Sequence, residues 1–454
     1  MALSADELAL IARHERRLAS TALADELNER YYRGRQRVEQ LGMAIPPEMR
    51  RFLMIANWPR VVVDTINARQ QMRSMMIPGE DVADPVLDAA LAASNFPAHL
   101  SMFNLCRLIY GRALMSVGAN EDDPTLPLVR AESPRELSAI TDTRKETVTS
   151  ACRFYADDTD ETLAALDARH ATLYLPDATV WCDRDSAGTW VEVDRNEHRL
   201  GVVPVVVHLN RRMPGQLVGE SQMSDVIPFT DGAARSLTNM QFAQEAQGIP
   251  RIFLTGVTRG DFLDAAGKPV PMFEAYFDAM NTLSKENAHV YQVDAADLKN
   301  FQTAMEIYGA QASIVTGFPA RLFGLHPANP PAEGAIHADE STLNRSVEQQ
   351  NEDVGVTLGK VGALAYRFAT GVWPQGRRVG VDWFDPATPT VSQREDALAK
   401  RRAAGVLSRE GYWDELGWSK ARKDKERAYF TAEEQSGIFG ETLDRLTSVG
   451  AAGQ

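Results

Sequence analysis

Cysteine is nearly absent. Cys106, Cys152 and Cys182 are the only three in 454 residues; they lie far apart and form no CxxC pair. This argues against a disulfide framework or a zinc site and suits a reducing compartment. Long apolar runs are absent too. The longest is GVVPVVV at 201–207, far short of the ~20 residues a membrane-spanning helix needs. MALSADELALIARHE turns acidic at once, which predicts no signal peptide and no membrane partner. Positive charge is in deficit: 48 Lys and Arg face 62 Asp and Glu, a formal net charge of −14. A general nucleic-acid binder neutralises phosphates with surplus Lys and Arg, so that class is disfavoured. Nucleic acid that must pass without sticking is compatible with the deficit.

The signatures of chemistry are missing as well. There is no GxxxxGK[ST], and GVTLGK at 355–360 is one residue short and lies within a helical pattern. No GxGxxG follows a strand. GESQM at 219–223 lacks the last glycine of a nucleophile elbow. The eight histidines are scattered. His326 and His337 stand eleven apart across a proline loop, which is not ligand spacing. No metal, cofactor or catalytic residue is expected.

What is present is a chain long enough for two or three domains, with 44% apolar residues to build cores. Ser4 and Glu7 form a capping-box pattern ahead of a helix whose apolar side is Leu8, Ile11, Leu18, Leu23 and Leu27. NWPRVVVDTINARQQM at 57–72 predicts a second helix with Pro in its first turn. Residues 84–118 read as two more helices. From about 124 to 210 the texture becomes short, β-branched and turn-bounded, with DSAG at 185–188 as a hairpin turn.

Two well-punctuated helices follow. One runs from about Ser224 to Gln247 and stops at Gly248 and Pro250. The other starts at Asp294, repeats Leu298, Phe301, Met305, Tyr308, Ala312 and Val315, and stops at Gly317 and Pro319. Between them lies a mixed insert, opened by the strand-like IPRIFLTG and closed by AHVYQV. A proline-rich loop then leads into a long helix reaching about Thr370. Gly355, Gly359 and Gly362 weaken that helix by up to ~1 kcal/mol each, which predicts a bend or break. Its segment 333–354 carries six acidic residues, Glu333, Asp339, Glu340, Glu348, Glu352 and Asp353, against Arg345. The C-terminal stretch 391–454 is helical, with eleven basic and eleven acidic residues.

The order of these parts, more than any one motif, resembles the portal, or head–tail connector, proteins of tailed bacteriophages of the long non-contractile-tail (siphovirus) type. The carriers are ELNERYYRGRQ (26–36), NWPRVVVDTINARQ (57–70), LGVVPVVVHLNRR (200–212) and GESQMSDVIPFTDGAARSLTNMQFAQEAQGIPRIFLTG (219–256). NPPAEGAIHADESTLNRSVEQQNEDVG (329–355) and LAKRRAAGVLSREGYWDELGWS (398–419) complete the set. The resemblance implies an α+β, predominantly helical fold. Residues 1–220 would be the wing, 221–248 and 294–318 the stem helices, and 249–293 the clip. Residues 319–334 would be the tunnel loop, 335–379 the long channel or wing helix and its connection, and 380–454 the crown.

It also implies a ring of twelve subunits at one capsid vertex of the virion, assembled in the host cytoplasm. The ring would be a passive channel for double-stranded DNA during packaging and ejection. The implied partners are terminase, a neck adaptor, and the major capsid and scaffolding proteins. His326, Asn329, Glu333, His337 and Glu340 are the residues expected along the DNA passage. Arg259, Phe262, Lys268, Phe273 and Lys285 are expected at adaptor contacts in the clip. A ring that repeats acidic charge about its axis repels the DNA backbone, whereas a basic lining would hold it. Prolines with fixed φ and no N–H would stiffen the loop that braces against the duplex. A non-enzymatic cytosolic scaffold or adaptor, or an enzyme with an unfamiliar site, would share the acidic charge.

Overall fold

A computed structural model describes residues 3–36, 54–79, 84–120, 123, 126–156, 168–247, 251–255, 289–293, 298–326, 333–387, 391–419 and 421–433. The chain divides into two compact units, Met1–Pro386 and Ala387–Gln454.

Helix α1 (Ala5–Tyr32) starts where the sequence predicts. Ser4 Oγ accepts from Glu7 N–H, and the Glu7 carboxylate accepts from Ser4 N–H at 2.8 Å. Ile11 and Leu18 are buried, but Leu23 is 83% exposed and Leu27 37%. The second half of α1 is held by polar contacts instead. Asp25 pairs with Arg112 at 2.6 Å, and Tyr31 donates to Asp231 at 2.9 Å. Helix α2 (Trp58–Arg69) has its proline in the first turn and leads into strand β1 (Met72–Met76).

Helix α3 (Pro85–Ala93) is capped by Asp84, whose carboxylate accepts from Val86 and Leu87 N–H. Helix α4 (Phe96–Tyr110) ends at Gly111 in the left-handed conformation. The stretch after it corrects the sequence reading. Residues Arg112–Gly118 form strand β2 rather than the end of a helix, with Ala113 through Val117 buried. Gly111 terminates α4 there, and pairing on both edges holds the new strand.

The strands β3 (Leu128–Glu132), β4 (Leu137–Asp142), β5 (Thr147–Tyr155), β6 (His170–Tyr174), β7 (Thr179–Arg184), β8 (Trp190–Asn196) and β9 (Val205–Leu209) fill the β-rich region. Two antiparallel sheets result, with orders β3-β2-β9 and β4-β5-β6-β7-β8. Asp185 shapes the β7–β8 turn by accepting from Ala187 and Thr189 N–H, with Gly188 at positive φ. Helix α1 lays Ile11 and Leu18 onto the five-stranded sheet beside Phe154, Leu173 and Val180.

Helix α5 (Ile227–Gln247), strands β10 (Arg251–Thr255) and β11 (His289–Val293), and helix α6 (Lys299–Thr316) follow. β10 pairs antiparallel with β11, Arg251 opposite Val293, so the two ends of the insert meet. The expected start of the second strut at Asp294 lies outside the described residues. Helices α5 and α6 cross closely: a methyl on Gly232 would lie 2.7 Å from the Tyr308 ring.

Helix α7 (Glu333–Thr370) is one continuous element of 38 residues, about 57 Å long. The expected break does not occur. Gly355, Gly359 and Gly362 are points of close approach to Val379, to strand β12 (Gly380–Trp383) and to β1, with which β12 pairs. Gly359 O accepts from Val379 N–H at 3.1 Å, and a methyl on Gly359 would lie 2.4 Å from Val379 O. The helix spans two cores. Leu343 and Val347 join Trp58, Val62, Phe318 and Phe323, while Val354, Leu358 and Val361 join Leu87, Phe103 and Met115.

The second unit contains α8 (Val391–Ala403), α9 (Arg409–Glu415) and a helix over 421–433. The crown expected from residue 380 thus begins with a strand that belongs to the first unit.

Candidate DNA-passage segment

The segment from the end of α6 to the head of α7 is built by helix punctuation. Gly317 closes α6 at φ 68°, and Ser313 Oγ donates to Phe318 O at 2.6 Å. Pro319 then starts a single 3-10 turn, Ala320–Phe323, which ends at Gly324 with φ 88°. Phe318 and Phe323 are buried, and the Phe323 ring meets Trp58 edge-on at 5.7 Å. The first part of the expected loop is therefore a packed anchor.

An ion-pair cluster fastens this anchor to α7. Arg321 Nη1 reaches Asp339 at 3.1 Å, and Arg321 also pairs with Glu340. Arg69, at the end of α2, approaches Glu340 at 3.4 Å. Glu340 is 6% exposed, so its charge is matched inside the fold. Sequence reasoning had counted Asp339 and Glu340 toward a free acidic face. The outward acidic side chains on the described part of α7 include Glu348, Glu352 and Asp353.

Farther along α7 lies a polar layer that sequence reasoning missed. Arg107 is fully buried and donates to Asn104 at 3.1 Å, Asn210 at 2.9 Å, Gln350 at 3.0 Å, and Gln70. Gln70 in turn donates to Asn351 at 2.9 Å. Burial lowers the Arg107 guanidinium to about 9, partly opposed by Asp353, and it remains a cation at neutral pH. Beside it His208 shares a 3.0 Å hydrogen bond with Thr357. Burial and the Arg107 charge hold His208 down to about 3.

The remaining predicted site residues divide by what the structure describes. His326 is exposed, two residues after Gly324. Glu333 and His337 occupy the first turns of α7, and their side chains lie outside the described residues. Asn329 lies outside as well, as do Arg259, Phe262, Lys268, Phe273 and Lys285. Among the described residues no helix is long and apolar enough to cross a membrane, and no group of three His, Cys, Asp or Glu could hold a metal.

The family model "Phage portal protein, SPP1 Gp6-like" matches residues 12–438. The chain belongs to this phage portal family. Curated relatives agree in kind. The portal protein of Mycobacterium phage D29 is 30% identical over 422 residues, covering 90% of this chain and 86% of the relative. That of Mycobacterium phage L5 is 29% identical over 423 residues, with the same coverage. Among solved structures, a chain of the virion of the native gene transfer agent particle is similar, with a TM-score of 0.45 and 14% identity. A chain from the neck of that particle, computed with C12 symmetry, gives 0.46 and 13%. Each covers 82% of this chain and 94% of the other.

Proposed function

We propose that twelve copies of this chain close into a ring at one capsid vertex and form a passive channel for double-stranded DNA. The match of residues 12–438 to the portal family carries this reading. In it, α5 and α6 are the stem and the insert between β10 and β11 is the clip, which meets a neck adaptor. Residues 319–334 form the tunnel loop, and the second unit forms the crown. A separate terminase drives the DNA and docks on the ring, and the portal hydrolyses nothing. The ring sits in the virion, after assembly with capsid and scaffolding proteins in the host cytoplasm.

His326, Asn329, Glu333 and His337 are the residues placed nearest the DNA. Glu340 belongs to the ion-pair anchor behind them. Glu348, Glu352 and Asp353 on α7 supply outward negative charge, which a ring repeats around its axis. Such a lining repels phosphates and lets a duplex slide.

Negatively stained particles and native mass on the same purified sample test the reading. Rings with a central hole wide enough for a duplex are expected, alone or once scaffolding and capsid proteins are added. A compact dimer that stays a dimer with those partners overturns it.

A further inference from the structure

The second unit holds a stack of aromatic rings. Trp413 lies against Trp418 with centroids 5.8 Å apart and planes at 18°. It also lies against Phe430 at 5.8 Å and 25°. Trp413 is buried at the centre. A guanidinium covers each outer ring: Arg422 is 4.2 Å from the Trp418 centroid, and Arg409 is 4.1 Å from that of Phe430. Arg402, in the last turn of α8, lies 5.8 Å from the Tyr412 centroid.

Four of the nearby carboxylates are already paired. Glu410 and Asp424 pair with Arg427, Asp414 with Lys423, and Asp396 with Lys400. Arg402, Arg409 and Arg422 are exposed and have no carboxylate partner among the described residues.

We propose that this arginine-capped stack binds the phosphate backbone of duplex DNA. A guanidinium with its face on a ring is pre-organised, and its N–H edge remains able to fork onto a phosphate. The ring faces are taken up by one another and by the arginines. No free face is left for an unpaired base, so single-strand recognition by stacking is disfavoured. The inference goes beyond the portal reading, in which DNA slides past acidic charge without being held.

The test is fluorescence anisotropy of a labelled duplex of about 30 bp with the full-length chain, across ~25–200 mM salt. Arg409→Gln/Arg422→Gln is expected to weaken binding at least tenfold at the lowest salt. Its log–log salt slope should be shallower by about 1.8, from ~0.9 per lost phosphate contact. Arg402→Gln leaves the three-ring stack alone, and should reduce the slope by about 0.9. Arg409→Lys/Arg422→Lys keeps the charge and should keep the slope. Unchanged affinity and slope in the folded glutamine variants overturn the proposal. So does tighter binding of a single strand than of the duplex. Rings that bind DNA equally well without these arginines overturn this inference alone. DNA binding that tracks the arginines, in a chain that never closes into a ring, overturns only the portal reading.

Discussion

Gly219 and Gly111 meet backbone to backbone: a methyl on Gly219 would lie 1.8 Å from Gly111 O. The same Gly111 O accepts from Asn210 N–H at 2.8 Å, and Glu220 N–H donates back to Asn210 O at 2.9 Å. Three chain segments cross at this point, and Gly219 is there because nothing larger fits. Gly219→Ala should cost about 3 kcal/mol or more, at the upper end of overpacking penalties. Gly118→Ala on β2, with nothing within 4 Å, should be near neutral. Urea midpoints of the two variants make the comparison.

The glycines of α7 separate in the same way. Alanine gains ~1 kcal/mol over glycine in a helix interior. At Gly355 the nearest atom to a new methyl is Trp383 Nε1 at 3.4 Å, so Gly355→Ala should keep most of that gain. At Gly359 the methyl would press on Val379 O at 2.4 Å and push β12 away. Gly359→Ala should therefore be net destabilising, by about 1–3 kcal/mol. Thermal melts that rank the two variants the other way would refute this packing account.

Acid should loosen the first unit. His14 sits between Ser138 and Ser150 at 3.1 and 3.0 Å, and burial with the Arg17 and Arg13 charges holds it down to about 3. His208 is similarly held down to about 3. Both fold neutral, while the unfolded chain takes up protons below about 6.5. Stability is thus full above that pH and is lost as pH falls from about 6.5 toward 3. At pH 5 the loss should be about 2 kcal/mol for each histidine. His14→Gln should be less stable at pH 7.5 yet flatter in its pH dependence. Urea melts at the two pH values read both effects.

Glu340 is the keystone of the loop anchor. Glu340→Ala leaves Arg321 and Arg69 without their shared partner and should cost about 1–3 kcal/mol, discounted for the partly exposed guanidiniums. A double-mutant cycle with Arg321→Gln should return a coupling of about 0.5–2 kcal/mol. Strict additivity would mean that the pair fastens nothing.

Much of the fold was legible where neighbours in sequence carry the information. Ser4 with Glu7, Asp185 with Gly188, and Gly317 with Pro319 each declare a cap or turn within a few residues. Strand 112–118 was not legible, because RALMSVG has no alternation and is defined by partners at 128–132 and 205–209. The order of parts pointed to the family, since five or six separated phrases can identify a chain that has no single diagnostic motif. The anchor was hidden because Arg321 finds Glu340 across the loop and Arg69 finds it across 271 residues. The α7 glycines read as weak points in one dimension. They become contact points only when β12 is laid beside them.

The buried Arg107 layer makes α7 a keyed shaft. Gln350 and Asn351 are the teeth, and apolar packing continues on either side of them. A slip of one turn, about 5.4 Å, would set Val347 or Val354 against a buried cation and strand its amide partners. The helix therefore cannot slide along the body that holds it. A shift of residues 333–340 along the helix axis is opposed at this layer, before it reaches the contacts with β12.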